Sequence, residues 1–307
     1  MISLLLLKQI AQLFLSILLG YYLVRSGLLK PADSRVLSVV VLYVVTPCVI
    51  INSFQIDCTP QMLRSLALSL GAAVLIHGVL FLMTYLLRRP LRLNPVEQAS
   101  VIYSNAGNLI VPIVSAILGK EWVIYTSMFI IIQLPLLWSH CRVLLSGERT
   151  ISLRKILLNV NIVSIFAGAA LFFLHISLPD VVVGTMESVG GMIGPLSMIV
   201  AGMLMGGVDF GRLVASRGIW KAAFLRLVGY PLVILVLLKY SGLARLVPGG
   251  ETILLVSFLA STTPAASAVT QIAQVYSSEG EYAGSINVVT TLLCIVTMPL
   301  IIGLYQL

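Results

Sequence analysis

The stretch Ser104-Asn105-Ala106-Gly107-Asn108-Leu109-Ile110-Val111-Pro112 sets polar residues, a glycine and a proline inside an apolar segment of membrane length. Pro112 has no N–H and its ring crowds the preceding turn, while Gly107 loosens the backbone, so helical bonding is expected to lapse between them. Within hydrocarbon, backbone groups without partners survive only where protein buries them or where they line a watery cavity. The broken segment therefore implies a cavity at membrane depth. A second polar stretch, Ser261-Thr262-Thr263-Pro264-Ala265-Ala266-Ser267-Ala268, interrupts an apolar segment at the corresponding place of the other half. Paired interruptions of this kind point to the substrate site of a transporter.

The rest of the chain agrees with a membrane setting. Of 307 residues, 59% are hydrophobic and 10% charged, whereas soluble domains carry roughly a quarter charged residues. A span needs about 20 mostly apolar residues. That ruler places spans at 3–24, 36–54, 62–87, 96–118, 121–145, 156–176, 181–206, 218–238, 251–275 and 281–305. Leu4 to Val24 is too long for a signal-peptide core and no small-residue cleavage site follows it, so it is expected to be the first span. The expected class is an all-α polytopic membrane protein with ten transmembrane helices, spans 4 and 9 being broken.

The net charge of +8 lies in short loops between apolar runs, which speaks for membrane orientation and against nucleic acid. Loops after spans 1, 3, 5 and 7 hold Arg25, Lys30 and Arg35; Arg88, Arg89 and Arg92; Arg142, Arg149, Arg154 and Lys155; and Arg212, Arg217 and Lys221. The other side has Lys8, Arg64, Lys120, Lys239 and Arg245. Because basic loops stay cytoplasmic, both termini are expected outside the cell membrane. The loop after span 9, with Glu279 and Glu281, adds no basic residue.

Each half has five spans, an odd number, so a repeated half must be inserted upside down. The helix-breaking residues recur in order: Thr46-Pro47 parallels Gly194-Pro195, the break in span 4 parallels that in span 9, and Pro135 parallels Pro299. The expected units are residues 1–147 and 148–307, an inverted 5+5 repeat. Small residues around Pro47 and Pro195 suit close helix packing.

Cys48, Cys58, Cys141 and Cys294 show neither metal-ligand spacing nor a disulfide framework and read as small core residues. No His-Glu-x-x-His, Gly-x-Ser-x-Gly or phosphate-binding glycine loop is present, which argues against an enzyme. No cofactor or metal is expected.

Several pieces, in order and spacing, resemble the auxin efflux carrier family, which includes plant PIN-type carriers and bacterial relatives. They are Ser26-Gly27-Leu28-Leu29 leading into Leu42-Tyr43-Val44-Val45-Thr46-Pro47; Ser104-Asn105-Ala106-Gly107 with Pro112; and Tyr276 followed by Asn287-Val288-Val289-Thr290-Thr291-Leu292-Leu293 and Met298-Pro299-Leu300. The resemblance implies two broken helices crossing at mid-membrane, a scaffold of spans 1, 2, 6 and 7, and a moving transport domain of spans 3–5 and 8–10. It also implies a homodimer through the scaffold, elevator-type motion, and a small organic anion, auxin-like or a dicarboxylate, as cargo. The chain departs from the family pattern at Asn108, where an aromatic ring is usual, at Ile110, and at Asn161-Ile162. A long cytosolic loop is absent, as in bacterial-type members.

The chemistry of such a site follows from helix ends. A helix N-terminus presents free N–H groups and partial positive charge, so two of them meeting at a crossover bind an anion without any arginine. Asn105 and Asn108 offer amide donors, and Ser104, Ser261, Thr262, Thr263 and Ser267 offer hydroxyls; Gly107, Pro112 and Pro264 shape the breaks. Ionisable residues within spans suggest function. His77 is the candidate for proton coupling, with Glu187 nearer an outer end. His140 and Arg226 are expected near cytoplasmic ends, snorkelling to water. Coupling to H+ or Na+ stays open. The competing classes are a sodium-coupled bile-acid-type symporter and a channel or membrane receptor.

Overall fold

In the computed structural model, which describes residues 2–56, 59–147, 154, 158, 160–207, 216–276 and 279–306, the described residues are helical throughout their regular structure. The helices are α1 (Ile2–Arg25), α2 (Pro31–Ser53), α3 (Pro60–Leu87), α4 (Pro95–Ile102) and α5 (Ala106–Ile117). They continue as α6 (Val123–Ser146), α7 (Val160–Phe173), α8 (Asp180–Gly206), α9 (Arg217–Tyr240), α10 (Gly250–Thr262), α11 (Ser267–Tyr276) and α12 (Gly280–Gln306). Among the described residues α2, α3, α6, α8, α9 and α12 are each long and apolar enough to cross a membrane. The expected spans 4 and 9 are split into α4 with α5 and α10 with α11. A polytopic all-helical membrane protein is the class that fits.

Helix starts follow local chemistry. Thr59 caps α3 by accepting from Met62 N–H at 3.1 Å, with Pro60 at the first helical position. Asn94 caps α4 in a capping box: Glu97 N–H donates to Asn94 Oδ1 at 2.7 Å, and Asn94 N–H donates to Glu97 Oε2 at 3.1 Å. Pro47 and Pro231 each remove a ladder donor, and in both helices a π-turn precedes the proline. Thr46 N–H reaches back to Val41 O, and Tyr230 N–H to Leu225 O.

Helices α1, α2, α7 and α8 pack on one another. The α1–α8 seam is glycine-lined: a Cβ at Gly202 would overlap the Ile17 carbonyl, and one at Gly20 the Ile199 carbonyl. Gly202 and Gly206 stand four residues apart on α8, the small-xxx-small spacing that lets backbones meet in a membrane. A second group surrounds the broken helices, with α3 and α6 against α4 and α10, and α9 and α12 closing the other side. Across its cytoplasm-expected end, Glu97 is 3% exposed and ties three helices: it pairs with Lys221 Nζ at 3.0 Å and accepts from Tyr282 OH at 2.9 Å.

Cys48, Cys141 and Cys294 are free, the last two buried; Cys58 lies outside the described residues, as do Arg149, Lys155 and Arg212.

Candidate functional site

The two interruptions meet. Between α4 and α5 the chain is extended at Tyr103 (φ −92°, ψ 124°), and between α10 and α11 at Thr263 (φ −67°, ψ 160°). Pro264 explains the second, because its ring pushes the residue before it out of helical geometry. The two extended pieces run antiparallel and pair: Asn105 N–H donates to Pro264 O at 2.9 Å, and Ala266 N–H to Tyr103 O at 3.0 Å. Backbone groups freed by each break are thus satisfied by the other, as a hydrocarbon setting demands.

The first break is not where the sequence suggests. Helix α5 runs from Ala106 through Gly107 and Pro112 to Ile117. A proline on the seventh position of a helix removes a single bond, and the surrounding packing holds the helix together. The lapse falls upstream, at Tyr103–Asn105, where the partner strand supplies the hydrogen bonds. The side chains of Asn108 and Pro112 lie outside what the structure describes.

Each centre of the crossing has a side-chain clasp from a neighbouring helix. On Ser104, Gln133 of α6 accepts from N–H at 3.1 Å and from Oγ at 2.6 Å, and its Nε2 donates to Ser104 O at 2.8 Å. On Ala265, Asn287 Nδ2 of α12 donates to O at 2.6 Å, and Thr290 Oγ1 accepts from N–H at 3.2 Å. Both centres are buried to 1% exposure, so an orphaned group on either would be costly.

The C-terminal ends of α4 and α10 converge on one side chain. Arg226 of α9 is 0% exposed. Its Nε donates to Thr263 O at 2.9 Å, one terminal nitrogen to Val101 O at 3.1 Å and Ile102 O at 3.5 Å, and the other to Ser261 O at 2.7 Å. Among the described residues no carboxylate pairs with it. The expectation that Arg226 snorkels to water is therefore wrong: the π-turn Leu225–Gly229 sits at mid-helix and holds the guanidinium against the breaks. His140 does not snorkel either. It is half-buried, its Nδ1 lies 2.9 Å from Tyr103 OH, and its ring meets Phe81 edge-on at 4.7 Å. The Tyr103 hydroxyl also lies 2.9 Å from Leu136 O, which accepts from it.

The opposite side, where α5 and α11 begin, is less deeply buried. Asn105, Gly107, Ser267 and Ala268 are half-buried, while Tyr103, Ser104 and every residue from Ser261 to Ala266 are buried. Ser267 Oγ donates to Asn105 Oδ1 at 3.4 Å, linking the two helix starts. The Asn105 side chain makes no cap bond to α5, and among the described residues its Nδ2 donates to no acceptor. The first helical bond of α5 is Leu109 N–H to Asn105 O at 3.1 Å, so the N–H groups of Ala106 and Gly107 have no acceptor within the helix.

The hydroxyls divide differently. Ser261, Thr262 and Thr263 donate to their own helix at Phe258 O (2.7 Å), Leu259 O (2.9 Å) and Ala260 O (3.0 Å). Their protons are spent there, which leaves only acceptor lone pairs. Ser104 is likewise committed to Gln133. His77 is 2% exposed, and its Nδ1 bonds Ala73 O at 2.7 Å. Glu187 is exposed on α8.

No site role was read from the sequence for Gln133, Asn287 or Thr290, although Asn287 and Thr290 stand in a stretch that carries the family resemblance. Their one signal is an amide or hydroxyl within an apolar run, as in Ile132-Gln133-Leu134.

Among curated proteins no match is found. The model of a family described as membrane transport protein matches residues 5–151 and 147–302. Those two matches take in nearly the whole sequence, both breaks included, and the chain belongs to the auxin efflux carrier family of membrane transporters.

Proposed function

We propose that the protein is a secondary carrier for a small organic anion, with a carboxylate held at the start of α5 and α11. The observation that carries this reading is the meeting of two helix N-termini on the half-buried side of the crossing, beside Asn105 Nδ2, which among the described residues donates to no acceptor. Helix starts bind anions through N–H groups and partial positive charge of about half a unit each. Asn105 Nδ2 supplies a neutral donor, Ser267 holds the Asn105 amide from the other helix start, Gly107 allows close approach to the backbone, and Asn108 belongs to the same turn. Neutral donors suit cargo that must be released. Ser104, Thr262, Thr263 and Pro264 build the crossing rather than donate to the anion, and Pro112 lies within α5.

The proposed architecture is ten spans in an inverted 5+5 repeat, residues 1–147 and 148–307, in the cell membrane with both termini outside. The matched clasps support it, since Gln133 and Asn287 lie on the helices that follow each broken pair. The scaffold would be α1, α2, α7 and α8, forming a dimer, and the remaining helices would slide against it as an elevator. The glycine-packed α1–α8 seam supports the rigidity of that scaffold. For proton coupling, the burial of His77 within α3 supports that residue over the exposed Glu187.

Uptake of labelled malate, malonate, oxalate and indole-acetate into proteoliposomes tests the function. The expected result is saturable uptake of one of them with trans-stimulation by internal substrate. Conductance far faster than a carrier cycle, without saturation, would move the protein to the channel class. A disulfide engineered between α5 and α8 should stop uptake; transport that survives it would rule out sliding.

A further inference from the structure

The cluster at the C-terminal ends of α4 and α10 has no role in anion binding as described, yet it contains a fully buried guanidinium that no carboxylate among the described residues pairs with. Four carbonyl oxygens from two chain segments converge on it at 2.7–3.5 Å. A helix C-terminus carries about half a negative charge. Two such ends together balance one positive charge, which is why Arg226 stands here without a counter-ion. In carriers with broken helices, unwound carbonyls and half-helix C-termini are the groups that coordinate a coupling cation. In this chain those oxygens are already filled.

We propose that Arg226 is a positioning residue that serves as a tethered cation: its guanidinium fills the carbonyl-lined junction of the two helix C-termini and holds both breaks in register for the anion on the opposite face. This rests on the carrier reading for its effect on transport, but not for its effect on the fold of the crossing. The planar fork matters as well as the charge. Its donors reach Val101 and Ile102 on one segment and Ser261 and Thr263 on the other, a spread that a single ammonium group does not match. The positive charge also neutralises the carbonyl pole, so that the two amide ends on the far side act on the anion unopposed.

The test is chemical rescue. Arg226→Ala leaves a hole lined by carbonyls, sized for the guanidinium that was removed. Purified Arg226→Ala should melt well below wild type, and millimolar guanidinium should raise its melting temperature while leaving wild type unchanged. Tetramethylammonium at equal ionic strength should do nothing, since it has no N–H. If Arg226→Ala cannot be purified, Arg226→Gln, which keeps two amide donors, carries the same comparison. In proteoliposomes, Arg226→Gln should raise the anion KM about tenfold, the scale of a partly buried helix-end charge effect, and Arg226→Lys should lie between it and wild type. A variant that responds equally to guanidinium and tetramethylammonium, or that loses only Vmax with KM unchanged, would overturn the proposal. If wild type takes up no anion the carrier reading fails, and the melting comparison still decides the role of Arg226.

Discussion

The two faces of the crossing are built from the same kinds of residue but end in opposite states. On the side where α4 and α10 finish, the groups at the break are spent: Arg226 takes the carbonyls, and the hydroxyls of Ser261, Thr262 and Thr263 turn back on their own helix. On the side where α5 and α11 begin, Asn105, Gly107, Ser267 and Ala268 are half-buried, and among the described residues Asn105 Nδ2 donates to no acceptor. The difference teaches that a broken helix in a membrane has a structural pole and a binding pole. Which is which depends on what the neighbouring helices bring to each end, here an arginine to the end where α4 and α10 finish.

Substitutions should separate the poles. The largest effect is expected at Arg226: Arg226→Met strands several buried carbonyls, each worth about 1–3 kcal/mol, so thermal or denaturant unfolding should show a loss of at least ~3 kcal/mol. Gln133→Leu should follow. It leaves the N–H, O and Oγ of Ser104 without their partner, and a loss of roughly 2–4 kcal/mol is expected from the same range. Gly202→Ala probes a third place, the α1–α8 seam. Overpacking there should cost about 1–3 kcal/mol and lower the yield of folded protein without changing KM for the anion. At the binding pole the order reverses: Asn105→Ala should alter stability by no more than ~0.5 kcal/mol, the usual size for a side chain outside the core network, because it gives up only the 3.4 Å bond from Ser267. The smallest effect on the fold is expected from pH. Comparing uptake across pH in wild type and His77→Ala would remove His77 from proton coupling if the profiles coincide.

Much of this was legible. The polytopic class follows from apolar runs of membrane length, the capping box at Asn94-Pro95-Val96-Glu97 marks the start of α4, and Pro264 marks the second break because of what a proline does to the residue before it. The first break misleads for the converse reason. Pro112 carries the familiar signal, but a helix held by neighbours tolerates one missing bond, and the true break at Tyr103–Asn105 contains no proline. It is made by pairing with a segment some 160 positions away in the chain, as the Ser104–Ala265 bridge shows, and no local pattern reports such a partner. Arg226 was misread because charge in a span has two common explanations, snorkelling and burial, and only the three-dimensional position of four carbonyls distinguishes them. Gln133 and Asn287 were visible as amides in apolar runs, but what they clasp was not.

The most direct test of the division into poles is uptake by Asn105→Ala proteoliposomes, measured beside wild type with the same labelled anion and with melting temperatures recorded for both. Binding at the helix starts predicts a loss of uptake of at least about tenfold, equivalent to ~1.4 kcal/mol, with the melting temperature essentially kept. Uptake at the wild-type level with the same KM would show that the anion binds elsewhere.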